Sequence, residues 1–369
     1  DGRWFDNCGM PIEAPDKLEP EKQKSTEDII KQIMQTYIKP SELKGKLETL
    51  IALQKPTFIW GASGIGKSEI IAKVAEKLDY NLVDVRVSLL DPVDLRGVPS
   101  VENGVTKWNP PVFLPQENDK QSILFLDELP HGSPSVQNAL FQLIRDRQIG
   151  EYKLPDSTII LAAGNRVSDR VGANKINGAL ANRFVHLSLE ADVNDWVSWG
   201  QSEGNIDPNV IAFIRYRPEL LFDFNKDSVA WASPRSWESV SDIVKADSNG
   251  MVVNAQDQSL IGGTVGESVA VEFCAFMGMV NSLPDVSEII KNPETYEVSE
   301  DPSVLYALTG ALASRADASN FDAIITYMTR EEMSNEFAVL CVKDAITRSP
   351  KLTKTKTYVD FLNKYQHIM

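Results

Sequence analysis

Cysteine and histidine are scarce in this chain, which has three residues of each type among 369. The cysteines are odd in number and widely separated, at Cys8, Cys274 and Cys341. This pattern argues against a disulfide framework and fits a reducing compartment, so we expect a cytoplasmic protein. The histidines are equally scattered, at His131, His186 and His367. Because neither set has metal-ligand spacing, nothing in the sequence indicates a zinc site.

Long apolar runs are also missing. No stretch approaches the roughly twenty apolar residues that cross a bilayer. The nearest, Val269–Val280, is short and contains Glu272, so we predict a buried helix there. The first residues lack the charged-then-apolar pattern of a secretory leader. We therefore expect no membrane partner.

Basic residues are fewer than acidic residues, with 37 Lys+Arg against 52 Asp+Glu and a net charge of −15. A duplex-DNA binder obtains most of its affinity from cationic contacts to phosphates, so nucleic acid is not the expected partner. A local basic strip inside a ring pore is still compatible with this balance. Hydrophobic residues make up 43% of the chain, as in an ordinary globular protein with room for two or more domains.

A glycine-rich loop between a predicted strand, Thr57–Trp60, and an amphipathic helical segment is the most specific motif present. The loop reads Gly61, Ala62, Ser63, Gly64, Ile65, Gly66, Lys67 and Ser68. Its spacing, G-x-x-x-x-G-K-S, surrounds a phosphate group with backbone N–H groups and a helix N-terminus. Lys67 is then expected at the β- and γ-phosphates, and the Ser68 hydroxyl at Mg²⁺. The motif predicts binding of a nucleoside triphosphate.

Acidic and amide side chains follow two later apolar strands. Asp127 and Glu128 end the segment Ile123–Leu126, and adjacent carboxylates are costly to bury there without a cation or a function. We expect Asp127 to hold Mg²⁺ and Glu128 to orient and deprotonate the attacking water. Asn165 ends the next strand, where a neutral amide can bond the γ-phosphate or that water.

Two arginines complete the candidate site. Arg183 precedes the predicted strand Val185–Leu189, and an arginine that reaches across a subunit boundary can neutralise transition-state charge. Arg145 and Arg147 are second-rank candidates for that role. In Ser233-Pro234-Arg235, the serine caps a helix and the proline takes its first position. Arg235 then lies in the first turn, where the dipole disfavours a cation unless a polyphosphate lies nearby.

The wider pattern predicts an α/β fold. Apolar strands without polar alternation are separated by helices, which indicates a five-stranded parallel sheet covered on both faces. The strands are Thr57–Trp60, Asn81–Arg86, Ile123–Leu126, Thr158–Ala162 and Val185–Leu189. A β-hairpin over Val98–Trp108 is predicted to turn at Asn103-Gly104. From about residue 191 the pattern is helical.

Together these motifs resemble the AAA+ ATPases, in particular the MoxR-type branch that is grouped with dynein-related AAA domains. The resemblance rests on the loop, the acidic segment Asp127-Glu128-Leu-Pro-His-Gly-Ser, the hairpin and Ser233-Pro234-Arg235, and it covers about residues 29–245. It implies that Asn165 is sensor 1, Arg183 the arginine finger and Arg235 sensor 2. It also implies a P-loop NTPase αβα sandwich followed by an all-α lid.

Together with the composition and periodicity of the segments outside it, the resemblance sets the expected domain boundaries. They are an N-terminal arm at 1–27, a nucleotide-binding domain at 28–190 with a hairpin insertion at about 94–110, a helical lid at 191–300 and a helical extension at 301–369. It further implies a homo-oligomeric ring, usually a hexamer, that hydrolyses ATP with Mg²⁺. Such rings often remodel a protein client in a chaperone-like way, in many cases one with a von Willebrand A domain.

Two other functions stay open on the sequence. One is a nucleic-acid-acting AAA+ motor or a GTP-using restriction-type ring, against which the acidic composition weighs. The other is a scaffold that uses nucleotide for assembly and hydrolyses little.

Overall fold

Most of the chain after residue 36 is described in this computed structural model. The described residues are 4–5, 11–12, 37–116, 120–166, 176–225, 228–248, 257–280, 283 and 285–366. Two units are distinguished, residues 1–37 and residues 38–369. In the first unit, strands β1 (Trp4–Phe5) and β2 (Pro11–Ile12) pair antiparallel. The rest of the predicted arm at 1–27 lies outside the described residues.

The predicted parallel sheet is confirmed. Its strands and the shorter ones around it are β3 (Tyr37–Ile38), β4 (Thr57–Trp60), β5 (Asn81–Arg86), β6 (Val98–Glu102), β7 (Val105–Asn109), β8 (Ser122–Asp127), β9 (Gln148–Ile149), β10 (Tyr152–Lys153), β11 (Thr158–Gly164) and β12 (Val185–Leu189). The order across the sheet is β3-β12-β4-β11-β8-β5. The five predicted strands run parallel to one another. The two-residue edge strand β3 is an addition that the sequence did not predict.

Helices cover both faces of this sheet and fill the second half of the chain. In order they are α1 (Pro40–Ala52), α2 (Lys67–Lys77), α3 (Pro92–Arg96), α4 (Pro134–Asp146), α5 (Gly178–Ala181), α6 (Val193–Ser202), α7 (Pro208–Tyr216), α8 (Pro234–Ser248), α9 (Gln258–Val265), α10 (Glu267–Val280), α11 (Val286–Lys291), α12 (Pro302–Arg315), α13 (Phe321–Met328), α14 (Asn335–Arg348) and α15 (Lys356–Tyr365). In the described segments, no helix has both the length and the apolar character needed to span a bilayer.

Two apolar cores lie on opposite faces of the sheet and make it the middle layer of an αβα sandwich. On one face, α1 and α2 bury Leu47 and Ile71 against strand residues such as Ile59. On the other, α4 buries Leu140 against Phe58. Because successive strand residues point to opposite faces, neighbours such as Phe58 and Ile59 serve different cores. The sequence therefore has apolar residues on both faces of β4, as the predicted buried strand requires.

The helical half has two further cores. Helices α6–α10 pack around Phe213, Trp237 and Phe273, and the predicted buried helix at 269–280 is α10. Helices α11–α15 pack around Phe321 and Tyr327. The all-helical character predicted from about residue 191 is thus confirmed. The division into a lid and a C-terminal extension stays a prediction.

The hairpin also forms as predicted. Strands β6 and β7 pair antiparallel, and the turn residues Asn103 and Gly104 have φ of 53° and 77°. Positive φ at both positions is what a two-residue turn of this type requires, and asparagine followed by glycine tolerates it best. Val98, Val101 and Val105 on the two strands are exposed.

A buried ion pair joins α7 to α14. The Arg215 guanidinium forms two hydrogen bonds with the Asp344 carboxylate, one of them Nη2 to Oδ1 at 2.7 Å, and the Asp344 side chain is 5% exposed. Both groups have lost water on folding, so each depends on the other for its polar partners. The pair fixes the C-terminal helices against the first helices after the sheet.

Replacing Asp344 with alanine is expected to lower the free energy of unfolding by about 3–5 kcal/mol, because the Arg215 charge stays buried without its partner. Urea unfolding followed by circular dichroism measures this. The control is Glu272→Ala, which removes a partner of Arg217 whose side chain is 39% exposed and should cost no more than about 1 kcal/mol. An equal decrease in the free energy of unfolding for the two variants would contradict the structural role assigned to Asp344.

Candidate functional site

The glycine-rich loop of residues 61–68, which we name the phosphate loop, connects β4 to α2 at the carboxyl edge of the sheet. Gly66 precedes α2 with φ of 88°, and Gly64 has φ of 81°. The N-terminus of α2 therefore faces the loop, and the backbone N–H groups of a first helical turn favour an anion there. A strand, a glycine loop and a helix N-terminus stand together as the sequence predicted.

The Lys67 ammonium lies inside this loop. It donates to the carbonyl oxygens of Gly61 at 2.8 Å and Ala62 at 2.7 Å, and to Asn165 Oδ1 at 3.2 Å. Asn165 directly follows β11, the neighbour of β4, so the sheet brings the amide to the lysine. The three oxygens hold a cation in position to meet phosphate oxygens.

The acidic pair lies at the same edge, at the end of β8. The Ser68 hydroxyl donates to Asp127 Oδ2 at 3.2 Å, which joins the loop to the first carboxylate. Glu128 adopts a left-handed backbone with φ of 55°, which is costly for a residue with a Cβ. Its N–H donates to Asp127 Oδ1 at 2.9 Å. The two carboxylates have different hydroxyl partners, Ser68 for Asp127 and Ser88 for Glu128.

Ser88 is hydrogen-bonded to the Glu128 carboxylate. Its Oγ donates to Glu128 Oε2 at 2.5 Å from the short 3₁₀ turn that follows β5. A hydroxyl bonded to the carboxylate competes with any water that this carboxylate would accept a proton from. Ser88 therefore fixes the Glu128 carboxylate and takes up one of its acceptor positions.

The donor set fits a Mg²⁺ ion shared with phosphates. A serine hydroxyl and the Asp127 carboxylate are hard oxygen ligands, and Mg²⁺ is usually held by one or two carboxylates plus phosphate oxygens. Nearby, burial and then the like charge of Asp127 raise the pKa of Asp84 above its usual range. A divalent cation would relieve that repulsion. Within the described residues no group of three or more acidic, histidine or cysteine side chains could hold a metal alone.

The helical half contacts the phosphate loop through the predicted lid motif. The Arg235 N–H donates to the Gly64 carbonyl at 3.2 Å. A Cβ on Gly64 would lie 2.9 Å from the Ser233 hydroxyl oxygen, so this approach requires glycine. Ser233 Oγ accepts from the Ser236 N–H at 3.2 Å and caps α8 as predicted. Arg235 lies in the first turn of α8, and its side chain is exposed.

A cavity of about 290 Å³ adjoins the loop. Its wall includes Gly64 and Gly66 from the loop, Trp196 and Trp199 from α6, and Arg235 from α8. Aromatic and polar groups beside a phosphate-binding loop are typical of a small-molecule pocket. The lid motif and the phosphate loop thus line one cavity.

Arg183 lies at the other edge of the sheet. It precedes β12, and β12 runs parallel to β4 with Val185 paired to Thr57 at the start of that strand. The four residues of β4 place about 13 Å of strand between this amino edge and the phosphate loop. The Arg183 guanidinium instead lies over the Phe141 ring of α4, 5.7 Å from its centroid, and is exposed. The structure does not bring Arg183 to the loop of its own chain.

The two second-rank arginines have different surroundings. Arg145 forms a bidentate pair with Asp146 at 2.7 and 2.6 Å, on the exposed end of α4. Arg147 points inward and donates to the carbonyl oxygens of Pro155 and Thr158, and its burial lowers the pKa of its guanidinium. The prediction that Arg147 faces a neighbour was wrong, because its guanidinium bonds carbonyl groups of its own chain.

Residues 56–184 match the AAA domain family in its dynein-related subfamily. This segment is a dynein-related AAA domain. The matched range contains the phosphate loop, both carboxylates, Asn165 and Arg183. The lid motif at Ser233–Arg235 lies beyond it.

Two curated proteins are similar to part of this chain and differ from it in length. Midasin of Giardia intestinalis is 28% identical over 173 residues, which are 43% of this chain and 4% of Midasin. The putative chaperone BssE of Thauera aromatica is 27% identical over 143 residues, 37% of this chain and 50% of that protein. The chain spans half or less of the length of these curated relatives.

Solved structures align with most of this chain at low identity. A RuvB point mutant from Thermotoga maritima aligns with a TM-score of 0.40 and 16% identity, covering 82% of this chain and 88% of that chain. NtrX from Brucella abortus in complex with ADP aligns with a TM-score of 0.40 and 13% identity, covering 89% of this chain and 67% of that chain.

Two residues near the acidic pair of the AAA domain were not predicted from the sequence. Asp84 and Ser88 lie on and just after β5, which pairs in parallel with β8 so that Arg86 stands beside Asp127. Polar residues near the end of β5 carry no signal until the strand order is known. Had β5 been placed beside β8, their proximity to the acidic pair would have followed.

Proposed function

We propose that this protein is an ATPase of the MoxR type that hydrolyses ATP at sites shared between neighbouring subunits of a ring, a hexamer in the usual case. The observation that carries the proposal is the separation of Arg183 from the loop of its own chain. An exposed arginine at the amino edge of the sheet can serve a phosphate loop only in another copy. Head-to-tail contacts that repeat this relation form a ring when the rotation between neighbouring subunits closes.

The roles of the residues at the loop follow from their positions. The backbone N–H groups around Gly64 and Gly66 bind the phosphates, and Lys67 meets the β- and γ-phosphates. Bound Mg²⁺, held by Ser68 and Asp127, would supply positive charge to the β- and γ-phosphate oxygens. The cavity lined by Trp196 and Trp199 receives the nucleoside.

Hydrolysis is assigned to Glu128, Asn165 and two arginines. Glu128 accepts the proton of the attacking water once it leaves Ser88, and the Asn165 amide orients the γ-phosphate or that water. Arg235 reports the position of the lid, since its backbone is bonded to Gly64. Arg183 of the adjacent copy neutralises charge that develops on the transferred group.

A protein is the proposed client, and a von Willebrand A domain is the specific expectation. Two features support a protein client. One relative is named a putative chaperone, and the hairpin exposes Val98, Val101 and Val105 away from any core. A two-stranded hairpin is marginal alone, and exposed valines on it suit contact with another polypeptide.

The proposal is tested by measuring phosphate release from ATP by the wild type and by Lys67→Ala. Mass photometry in each nucleotide state reports whether a ring assembles. We expect Mg²⁺-dependent turnover and a ring for the wild type, and no turnover for the variant. Parallel GTP assays test nucleotide choice, and addition of duplex or single-stranded DNA tests the motor alternative. Equal phosphate release from both proteins would contradict ATP hydrolysis at this loop.

Replacing Ser88 with alanine is expected to raise basal ATP turnover by about two- to tenfold, because one hydrogen bond no longer holds the Glu128 carboxylate. Steady-state phosphate release measures it. A loss of turnover in Ser88→Ala would instead mean that the hydroxyl supports the reaction.

A further inference from the structure

Four ring side chains form a cluster on the α4 face of the sheet, between the phosphate loop and Arg183. Trp60 stacks on Phe58 with ring centroids 4.1 Å apart, and Phe184 meets Phe58 edge-on at 5.6 Å. His186 lies opposite Phe58 in the β4–β12 register and 6.0 Å from the Trp60 ring. His186 is exposed, and Trp60 is partly so.

Both ring nitrogens of His186 are bonded. The Trp60 indole N–H donates to His186 Nδ1 at 2.8 Å, and His186 Nε2 lies 2.8 Å from the Ala181 carbonyl oxygen. An indole nitrogen can only donate, so Nδ1 is the acceptor and the ring proton lies on Nε2. The Nε2–H then donates to Ala181. The tautomer and the orientation of the ring are determined by its two partners.

These bonds connect the two edges of the sheet. Trp60 is the last residue of β4 and is followed directly by Gly61 of the phosphate loop. Ala181 is the last residue of α5, and its carbonyl also accepts from the Phe184 N–H at 3.1 Å. The chain from Ala181 to Phe184 is the turn that contains Arg183. His186 thus holds this turn from one side and is itself held by the residue before the loop.

We propose that His186, fixed by Trp60, is a positioning residue that sets the Arg183 turn for the neighbouring subunit's nucleotide site. The proposal rests on the proposed function, since it needs Arg183 to act across a subunit boundary. The Trp60–His186 and His186–Ala181 hydrogen bonds set the position of the Ala181 carbonyl. Arg183 lies two residues after Ala181. A guanidinium that must meet a phosphoryl group in a neighbour depends on such placement, since small displacements lower the rate steeply.

Three variants distinguish the effect of the His186 hydrogen bonds from the effect of its aromatic ring. His186→Phe keeps an aromatic ring and removes both hydrogen bonds. His186→Gln restores an amide acceptor and donor. Trp60→Phe keeps the stack on Phe58 and removes only the bond to Nδ1. Val185→Ala changes an exposed neighbour on the opposite strand face and is the matched control.

His186→Phe is expected to lower ATP turnover by about tenfold, the effect of losing two ordinary hydrogen bonds. Trp60→Phe should lower it less, His186→Gln should recover most of it, and Val185→Ala should match the wild type. The affinity of each variant for nucleotide should stay at the wild-type value, because the phosphate loop keeps its own contacts.

Subunit mixing distinguishes positioning of Arg183 from a general structural effect. His186→Phe has an intact loop, so mixing it with Lys67→Ala, which has an intact Arg183, should restore turnover at about a quarter of the interfaces. Mixing it with Arg183→Ala should restore nothing, because both partners lack a placed arginine. Restoration by Arg183→Ala but not by Lys67→Ala would overturn the proposal, as would wild-type turnover in His186→Phe.

Arg183→Ala separates failure of this proposal from failure of the proposed function. If Arg183→Ala is inactive and His186→Phe is fully active, only the positioning role is wrong. If Arg183→Ala hydrolyses ATP at the wild-type rate, the shared site and the positioning role are both wrong.

Discussion

Replacing Arg183 with alanine is expected to lower ATP turnover by about 10³- to 10⁵-fold while nucleotide affinity stays unchanged. The guanidinium lies over Phe141 at the sheet edge opposite the phosphate loop, so its removal leaves the loop of the same chain intact. The loss corresponds to about 4–7 kcal/mol of barrier. Phosphate release and fluorescent-nucleotide titration on the assembled protein measure the two quantities separately.

Arg145→Ala is the matched control for this experiment. Its guanidinium also lies over Phe141, at 5.2 Å, but it is engaged with Asp146 through two hydrogen bonds. We expect a change of less than about tenfold, since an exposed ion pair contributes little. A large loss for Arg145→Ala with none for Arg183→Ala would transfer the finger role to Arg145.

Replacing Glu128 with glutamine is expected to lower turnover by about 10²- to 10⁴-fold and to leave ATP binding and ring assembly intact. The amide has nearly the shape of the carboxylate and can still accept from Ser88, so the turn after β8 is preserved. It cannot accept the proton of water at neutral pH. Single-turnover phosphate release gives the chemical rate, and mass photometry with ATP reports assembly.

Glu128→Gln should also hold the ATP-bound state long enough to capture a client in a pull-down. Asp84→Asn is a useful comparison, since it removes a carboxylate close to Asp127 without touching the base. Normal hydrolysis by Glu128→Gln would show that the mechanism assigned to the acidic pair is wrong.

Local patterns predicted the sheet strands and the phosphate loop well. The central strands β4, β8 and β11 are short apolar runs with buried residues on both faces, and the glycine loop lies where the spacing placed it. The turn at Asn103-Gly104 was equally clear, because few residue pairs accept positive φ at both positions. These features depend on neighbours in sequence.

Other features depend on strand order, which no local pattern contains. Ser88 meets Glu128, and Asp84 lies near Asp127, only because β5 is next to β8. His186 meets Trp60 only because β12 is next to β4. Arg147 was misjudged for a related reason. It follows α4 with a left-handed backbone, φ 53°, and so turns inward toward the carbonyl oxygens of Pro155 and Thr158.

The most direct test of the shared site is the mixture of two inactive variants. Lys67→Ala keeps Arg183, and Arg183→Ala keeps the phosphate loop, so random assembly should rebuild about a quarter of the interfaces. We predict that equal amounts of the two, mixed and reassembled, regain a comparable fraction of wild-type phosphate release. A mixture as inactive as its components would contradict an ATP site built from two subunits.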